Sequence, residues 1–407
     1  FNQSGGLVDV QQGETWMGES GSGSYSLSGS GEIRAGYFQV ARNGSSTVTV
    51  NLDGGTLQAT QIAGGGGNST VNFNGTQIIS KAGGNFISGL TSAIVKSGGL
   101  KIDSAGFNLT APQLLVAGSP SGGLIKSGAG TLNLSAANTY TGATGINGGK
   151  LSISTASLAN GAVTLADSTA LGIIQTTDNQ AYSASAVTFG ATDATTLDFD
   201  LGSYAGNTAN APLNVTGSGA LTLNGAVTVN VTDNLPVVGT VPLVSYTGGK
   251  TGSGSFQLGT IPDGVVANLT DNGTNQVALN VTRVNDAYWT GVVTVGINEV
   301  PNNEWNFTNA NWKDDYTETA SIYADGDPVT FDDRVVDPAT DVTVMLFSTV
   351  SPGGSGVTLA NDTKNYTIWG IGKIYGNTKL TKQGAGTATI DTINDYTGVT
   401  SLNGGTL

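Results

Sequence analysis

The stretch Leu124-Ile125-Lys126-Ser127-Gly128-Ala129-Gly130-Thr131-Leu132-Asn133-Leu134 runs on to Asn138-Thr139-Tyr140-Thr141-Gly142-Ala143-Thr144 and then to Asn147-Gly148-Gly149-Lys150-Leu151. It returns as Leu380-Thr381-Lys382-Gln383-Gly384-Ala385-Gly386-Thr387, Asn394-Asp395-Tyr396-Thr397-Gly398-Val399-Thr400 and Asn403-Gly404-Gly405-Thr406-Leu407. The two copies align without a gap. Within the first, Leu132 and Leu134 alternate with polar residues and so point to one face of a strand, while Ile146 and Leu151 begin later strands on the same core. A long motif of short strands and glycine corners, used twice, belongs to a repeat architecture rather than to a barrel or sandwich.

The rest of the chain follows the same rule. Runs such as Thr47-Val48-Thr49-Val50-Asn51-Leu52 and Leu221-Thr222-Leu223-Asn224 alternate apolar and polar positions and end at Gly, Asn or Asp. Thr and Val suit a pleated, half-buried surface, and the residues that follow tolerate the left-handed backbone of tight corners. A Gly-Gly-x-apolar corner recurs at Gly5-Gly6, Gly54-Gly55, Gly98-Gly99, Gly122-Gly123, Gly148-Gly149 and Gly404-Gly405. No stretch of ten or more residues carries a helical period with caps. The expected fold is all-β, a right-handed parallel β-helix (solenoid) with an irregular Trp/Asp-rich insertion. Rungs of ~20–25 residues stacked at ~4.8 Å predict a rod on the order of 80–95 Å long.

Composition narrows the chemistry. Among 407 residues there are 62 Gly, 10 Pro, no Cys and no His, with a net charge of −14. Absence of His removes an imidazole base, a Ser-His-Asp triad and a His metal site. Absence of Cys removes thiol nucleophiles, zinc clusters and disulfides. The acidic surface repels phosphate backbones, so nucleic acid is not an expected partner. No apolar run approaches the ~18 residues of a membrane span. Phe1 opens the sequence without the features of a signal peptide, and Leu407 ends it within a strand-like pattern, so a window cut from a longer chain, or a processed product, is expected.

The pattern K-x-G-A-G-T-x-x-(L/I), N-x-Y-T-G-x-T, N-G-G-x-L resembles the autotransporter-associated β-strand repeat, also called the passenger-associated transport repeat. That family occurs in Gram-negative passenger domains and in large surface proteins of Verrucomicrobia and Planctomycetes. Tyr288-Trp289-Thr290-Gly291, Trp305, Asn311-Trp312 and Gly326-Asp327-Pro328-Val329-Thr330-Phe331-Asp332-Asp333 are similar to the segment that opens a unit in such proteins. Val241-Pro242-Leu243-Val244-Ser245-Tyr246 and Gly252-Ser253-Gly254-Ser255-Phe256 resemble one that closes a unit, so a unit is expected to end near Arg283 and another to begin near Asp286. The organisation that follows is β-helix rungs over 1–123, a first repeat over 124–151 and closing rungs over 152–285. An acidic, aromatic-rich start then covers 286–375, and a second repeat covers 376–407. The resemblance implies an extracellular structural protein at the cell surface of a Gram-negative-type bacterium, serving as spacer, coat or adhesin, with no active site common to the family. Lack of Cys suits passage through an outer-membrane pore.

Within the repeat, Gly128, Gly130, Gly142, Gly148 and Gly149, and Gly384, Gly386, Gly398, Gly404 and Gly405, read as structural corners. Tyr140 and Tyr396 read as corner plugs, with sugar stacking the competing role. Asn138, Asn147, Asn394 and Asn403 are expected in left-handed turns bonded to their own backbone, with ligand-binding amides the competing role. Lys126 and Lys382 are expected to be solvated. From Asp286 to Asp341 the chain holds 12 of its 29 carboxylates and three of its five Trp. Asp325, Asp327, Asp332 and Asp333 are therefore candidate Ca²⁺ ligands, although EF-hand and nonapeptide spacings are missing. Without that ion, no cofactor is expected. Trp289, Trp305 and Trp312 could stack on glycans or fill a local core, and Tyr316 belongs to the same aromatic concentration. A pectin-lyase-like enzyme would need an Arg base among acids, which only Arg334 offers. A further expectation is self-association, end to end or laterally into a filament, because an open rung presents unpaired backbone groups.

Overall fold

Alternation in the sequence becomes ladders of stacked strands. The computed structural model describes the whole chain except residues 11–12, 159, 178, 203–209, 233–237, 263–264, 285–286, 316–317 and 354–355. Asp286 and Tyr316 therefore lie outside the described residues. No helix occurs among the described residues, and the strands wind into a parallel β-solenoid of about 16 turns. One 11-stranded sheet runs the length of a first block, from Leu7–Asp9 to Lys250–Thr251. A second block stacks Ala287–Trp289, Val329–Asp332, Val357–Ala360, Leu380–Gln383 and Thr400–Leu402 in the same parallel manner.

Register explains the core. Ile33, Leu57, Ile78 and Ile102 occupy one inward column, each paired with the next and each fully buried. On another face Leu132, Leu151, Leu171, Leu197 and Val229 do the same. Each such side chain contributes about 1.5–3 kcal/mol on leaving water. Outward positions carry Thr, Asn and Gln, which form their own ladders, as in the bond from Asn72 Nδ2 to Asn51 Oδ1 at 2.8 Å.

Rung length varies more than the sequence suggests. Leu57 pairs with Ile78 across a short rung, whereas the rung that carries Val187 round to Leu221 is more than half as long again. The Trp/Asp-rich insertion is a single rung, since Ala287 pairs directly with Val329 and everything between them belongs to one turn.

Antiparallel pairing interrupts the parallel stacking in several places, among them Trp312–Asp314 against Ala287–Trp289 and Ala320–Ser321, and two hairpins. Val265–Asp271 and Gln276–Val284 form an antiparallel hairpin laid on the edge of Gly239–Thr247. Its tight turn centres on Asn272-Gly273, with Asn272 Oδ1 accepting the N–H groups of Thr274, Asn275 and Gln276. Val265, Ala267 and Leu269 pack on the end of the first core. A second hairpin, Val292–Val295 with Asn298–Pro301, stands alone as a two-stranded sheet. The buried core falls into two clusters, one ending at Val281 and the other beginning at Ala287.

Candidate functional site

Both repeat copies build a short rung. Leu124 pairs with Thr144 and Leu380 with Thr400, so the two copies close their turns at identical spacing, and each turn is shorter than the one from Leu57 to Ile78. On the third side of this turn no strand forms among the described residues. The six-stranded sheet on that face ends at Leu115–Ala117, and the next rung covers it with a side chain instead. Asn138 Oδ1 accepts the Leu115 N–H at 2.9 Å, while the Thr139 N–H donates to the Leu115 carbonyl at 2.9 Å. The second copy repeats this, with Asn394 Oδ1 on the Ile374 N–H at 2.9 Å and the Asp395 N–H on the Ile374 carbonyl at 3.1 Å. An amide thus supplies the acceptor that a neighbouring strand would have offered, leaving no orphaned backbone donor.

This corrects the expectation of left-handed turns. None of Asn138, Asn147, Asn394 and Asn403 has positive φ. The first and third of these bind a residue one rung away, with a local bond added from Asn138 Nδ2 to the Ala136 carbonyl. The other two continue the ladder through their backbone N–H groups, which donate to the carbonyls of Lys126 and Lys382 at 2.7 and 2.8 Å.

The lysines are the larger correction. Lys126 and Lys382 are fully buried rather than solvated. Lys126 stands in an inward column between Ile102 and Ile146, and Lys382 between Leu359 and Leu402. Alternation places each beside the inward Leu two positions earlier. Lys126 Nζ donates to the carbonyls of Ser127, Gly128 and Gly148 at 2.9, 2.8 and 3.0 Å. Lys382 Nζ donates to Gln383 and Gly384 at 2.6 and 3.0 Å. The ammonium therefore gathers carbonyls that face inward at a glycine corner and ties Lys126's corner to the one above it. Burial pushes the Lys126 ammonium down to about 8, with Asp103 opposing the shift. Burial also lowers the Lys382 ammonium, with Asp362 and Asp333 acting against it.

Glycine is required where corners stack. Gly149 and Gly405 have φ of 63° and 66°, and a Cβ there would sit 2.2 and 2.3 Å from the carbonyl oxygens of Gly130 and Gly386. Gly148 and Gly404 lie over Gly128 and Gly384 in the same stacks, and Gly142 and Gly398 press on the backbone of Gly122 and Thr378. Tyr140 is buried with its hydroxyl 3.2 Å from Thr144 Oγ1, and burial pushes it up to about 12. Tyr396 is partly buried, 2.9 Å from Thr400 Oγ1. Both rings close corners.

In the wide rung, Trp289, Trp305 and Trp312 are fully buried. They form an aromatic nest with Phe331 and Tyr323. Trp289 meets Trp312 edge to face at 4.9 Å, and Trp305 meets Tyr323 at 5.5 Å. No ring face is open to a sugar, which corrects the glycan-stacking expectation. Their position follows from length, because a turn of this size needs its own core.

The four Ca²⁺ candidates do not converge. Among the described residues no group of three or more carboxylates could hold a metal. Asp325 accepts the Tyr323 hydroxyl at 2.9 Å and the Ser351 N–H at 2.7 Å, and Asp327 accepts the Ala324 N–H. Asp332 pairs with Arg334. Asp333 accepts the N–H groups of Asp362, Thr363 and Lys364 across a rung. Burial would raise the Asp333 carboxyl, yet these donors outweigh it and hold the group below the usual range. Asp167 does the same in the first block, accepting the N–H groups of Ala191, Thr192 and Asp193, and is held at about 2. Sequence reasoning missed this role, whose signal is an Asp one rung before a polar turn. Arg334 contacts Asp332 and Asp315 and stacks over Tyr288 at 3.8 Å. Burial alone would lower its proton affinity, but the two carboxylates raise it, opposite to what a catalytic base needs.

Fold and site together define a parallel β-solenoid with a recurrent, side-chain-stitched short rung. The family described as Passenger-associated-transport-repeat matches residues 124–153 and 380–407, so the chain carries two copies of that repeat. No curated protein and no solved structure matches the chain. A transport repeat on a β-solenoid fits an extracellular passenger or stalk. Among the described residues no helix is long and apolar enough to cross a membrane.

Proposed function

We propose that this chain is a mechanical element at the surface of a Gram-negative-type bacterium, a non-catalytic stalk segment that sets distance and stiffness. The observation that carries this reading is how the ionic side chains are used. Lys126 and Lys382 bind corner carbonyls, Asp167 and Asp333 bind turns of a neighbouring rung, and Arg334 is held between Asp315 and Asp332. These five groups are occupied in holding corners or in joining one turn to the next. The first block's 11-stranded sheet supplies a rise of about 50 Å at the usual strand spacing.

Electron microscopy of the purified chain tests the reading directly. Elongated particles with a cross-β spacing of ~4.8 Å in fibre or powder diffraction are expected. Compact globules, or turnover of a polysaccharide that is lost in Arg334→Ala, would overturn it.

A further inference from the structure

The solenoid changes cross-section early in the first block, and a notch opens at the change. Ala35-Gly36 alone separates Arg34 from Tyr37, and Thr60 alone separates Ala59 from Gln61. On the next rung Ser80 still pairs with Ala59 and Ile87 with Ile62, yet residues 81–86 now lie between them. The surplus swings outward and contributes Gly84–Asn85, the first strand of the 8-stranded sheet that later rungs extend. Residues 81–85 thus form a ledge over a floor that includes Tyr37, Thr60 and Gln61, enclosing about 580 Å³. That volume lies in the range of small-molecule sites.

The groups around the notch are uncommitted. Tyr37 is 51% exposed, and its hydroxyl has no partner among the described residues. The other exposed ring of this four-stranded sheet, Trp16, carries the Arg42 guanidinium 3.3 Å from its centroid, so Tyr37 is the open platform. Asn85 is exposed with its amide unpartnered. Gly84 and Phe86 donate to Asn108 and Thr110 of the following rung, so alternation turns the Asn85 N–H and carbonyl to the free edge over the notch. Gln61 Nε2 donates to Ser88 Oγ at 2.9 Å, which leaves Oε1 to accept a further bond.

Charge selects the ligand. Among the described residues no carboxylate lines the notch, although the chain carries a net charge of −14. The Lys81 ammonium is turned to the Ala35 carbonyl at 3.1 Å and tethers the ledge to the floor. A cation therefore meets no counter-charge, and an anion meets none that is uncommitted. An aromatic face beside neutral donors and acceptors suits a molecule with one C–H face and a rim of hydroxyls. A peptide strand would need a longer edge than Gly84–Asn85. We propose that this notch binds a neutral oligosaccharide, with one sugar ring stacked on Tyr37 and its hydroxyls held by Asn85 and Gln61.

Titration calorimetry of the full chain with cellotetraose, acetylated chitotetraose, mannotetraose and maltotetraose tests this. Saturable binding of at least one, with a Kd of about 0.1–1 mM, is expected. Tyr37→Ala should weaken it at least ~tenfold and Asn85→Ala about fivefold. Both should keep the parent's melting temperature, because the two side chains stand clear of the core. Trp16→Ala, on the same sheet face, should leave binding intact. No binding of any of the four at ~5 mM overturns the proposal, as does affinity that survives Tyr37→Ala or falls with Trp16→Ala instead. Binding of acetylated, amidated tetrathreonine in place of every sugar would make the free edge a peptide site and overturn it too. The stalk reading rests on particle shape and is untouched by each of these outcomes.

Discussion

Two rungs of this molecule solve opposite problems. The turn that opens with Leu124 meets its successor at Thr144 and carries only two strands, Leu124–Ser127 and Thr131–Leu134. The turn that opens with Ala287 meets its successor only at Val329, about twice as far on, and has chain to spare. The short one replaces missing backbone with side chains, through the Asn138 amide on Leu115 and the Lys126 ammonium under its glycine corner. The long one folds its surplus over a private nest of Trp289, Trp305, Trp312, Tyr323 and Phe331. Register on the shared sheet is the same in kind for both. A solenoid therefore fixes the stacking of one sheet and leaves the remainder of each turn free to be polar and lean or aromatic and bulky.

Breaking the bulky solution should have the largest effect. Trp312→Ala removes a fully buried ring that contacts four others, and a cost of about 3–5 kcal/mol is expected. Because the cores are separate clusters, calorimetry should show the second block melting earlier while the first keeps its transition. Coincident melting would show that the blocks unfold as one.

The lean solution should break next. Lys126→Met keeps the column between Ile102 and Ile146 filled but leaves three carbonyls without their donor, so a loss of about 2–3 kcal/mol in urea unfolding is expected. Neutrality or a gain would mean that desolvating the ammonium costs as much as its bonds return. Asn138→Ala should cost less, about 1–2 kcal/mol, with faster hydrogen exchange at the Leu115 amide as its local signature. An unchanged Leu115 exchange rate would remove the surrogate-strand role.

The smallest effect concerns acid. Asp167 titrates near 2 in the folded chain against 3.8 when unfolded, so its stabilisation is complete above about 4 and is lost as pH falls through 2. Asp333, also lowered, contributes with the same sign. Asp167→Asn should lower stability near pH 7 and converge on the parent below about pH 2, so that the slope between pH 4 and 2 flattens. A slope identical to that of the parent would remove Asp167 from the rung-joining set.

Much of the fold is legible because stacking is periodic. Alternation in Thr47–Leu52 and the return of Gly-Gly corners point directly to strands, corners and a solenoid. The hairpin of Val265–Asp271 with Gln276–Val284 hides among the parallel rungs around it, although Asn272-Gly273 is a strong turn signal. At the site, the burial of the lysines follows from parity along Leu124-Ile125-Lys126, but the usual preference of an ammonium for water argues the other way. The role of Asn138 is hidden for a different reason, since its partner lies 23 residues away and only the rung length reveals it. Burial of the tryptophans cannot be read from composition, because the same Trp and Asp residues would serve a cleft or a core equally.

The antiparallel hairpin over Gly239–Thr247 has a consequence for lineage. It seals the first block's core with Val265, Ala267 and Leu269 before the second begins at Ala287. Such a full stop makes each block a cassette that gene duplication or recombination can copy, drop or reorder without exposing an apolar seam. Chains of this design can diversify in reach by whole paragraphs rather than by letters.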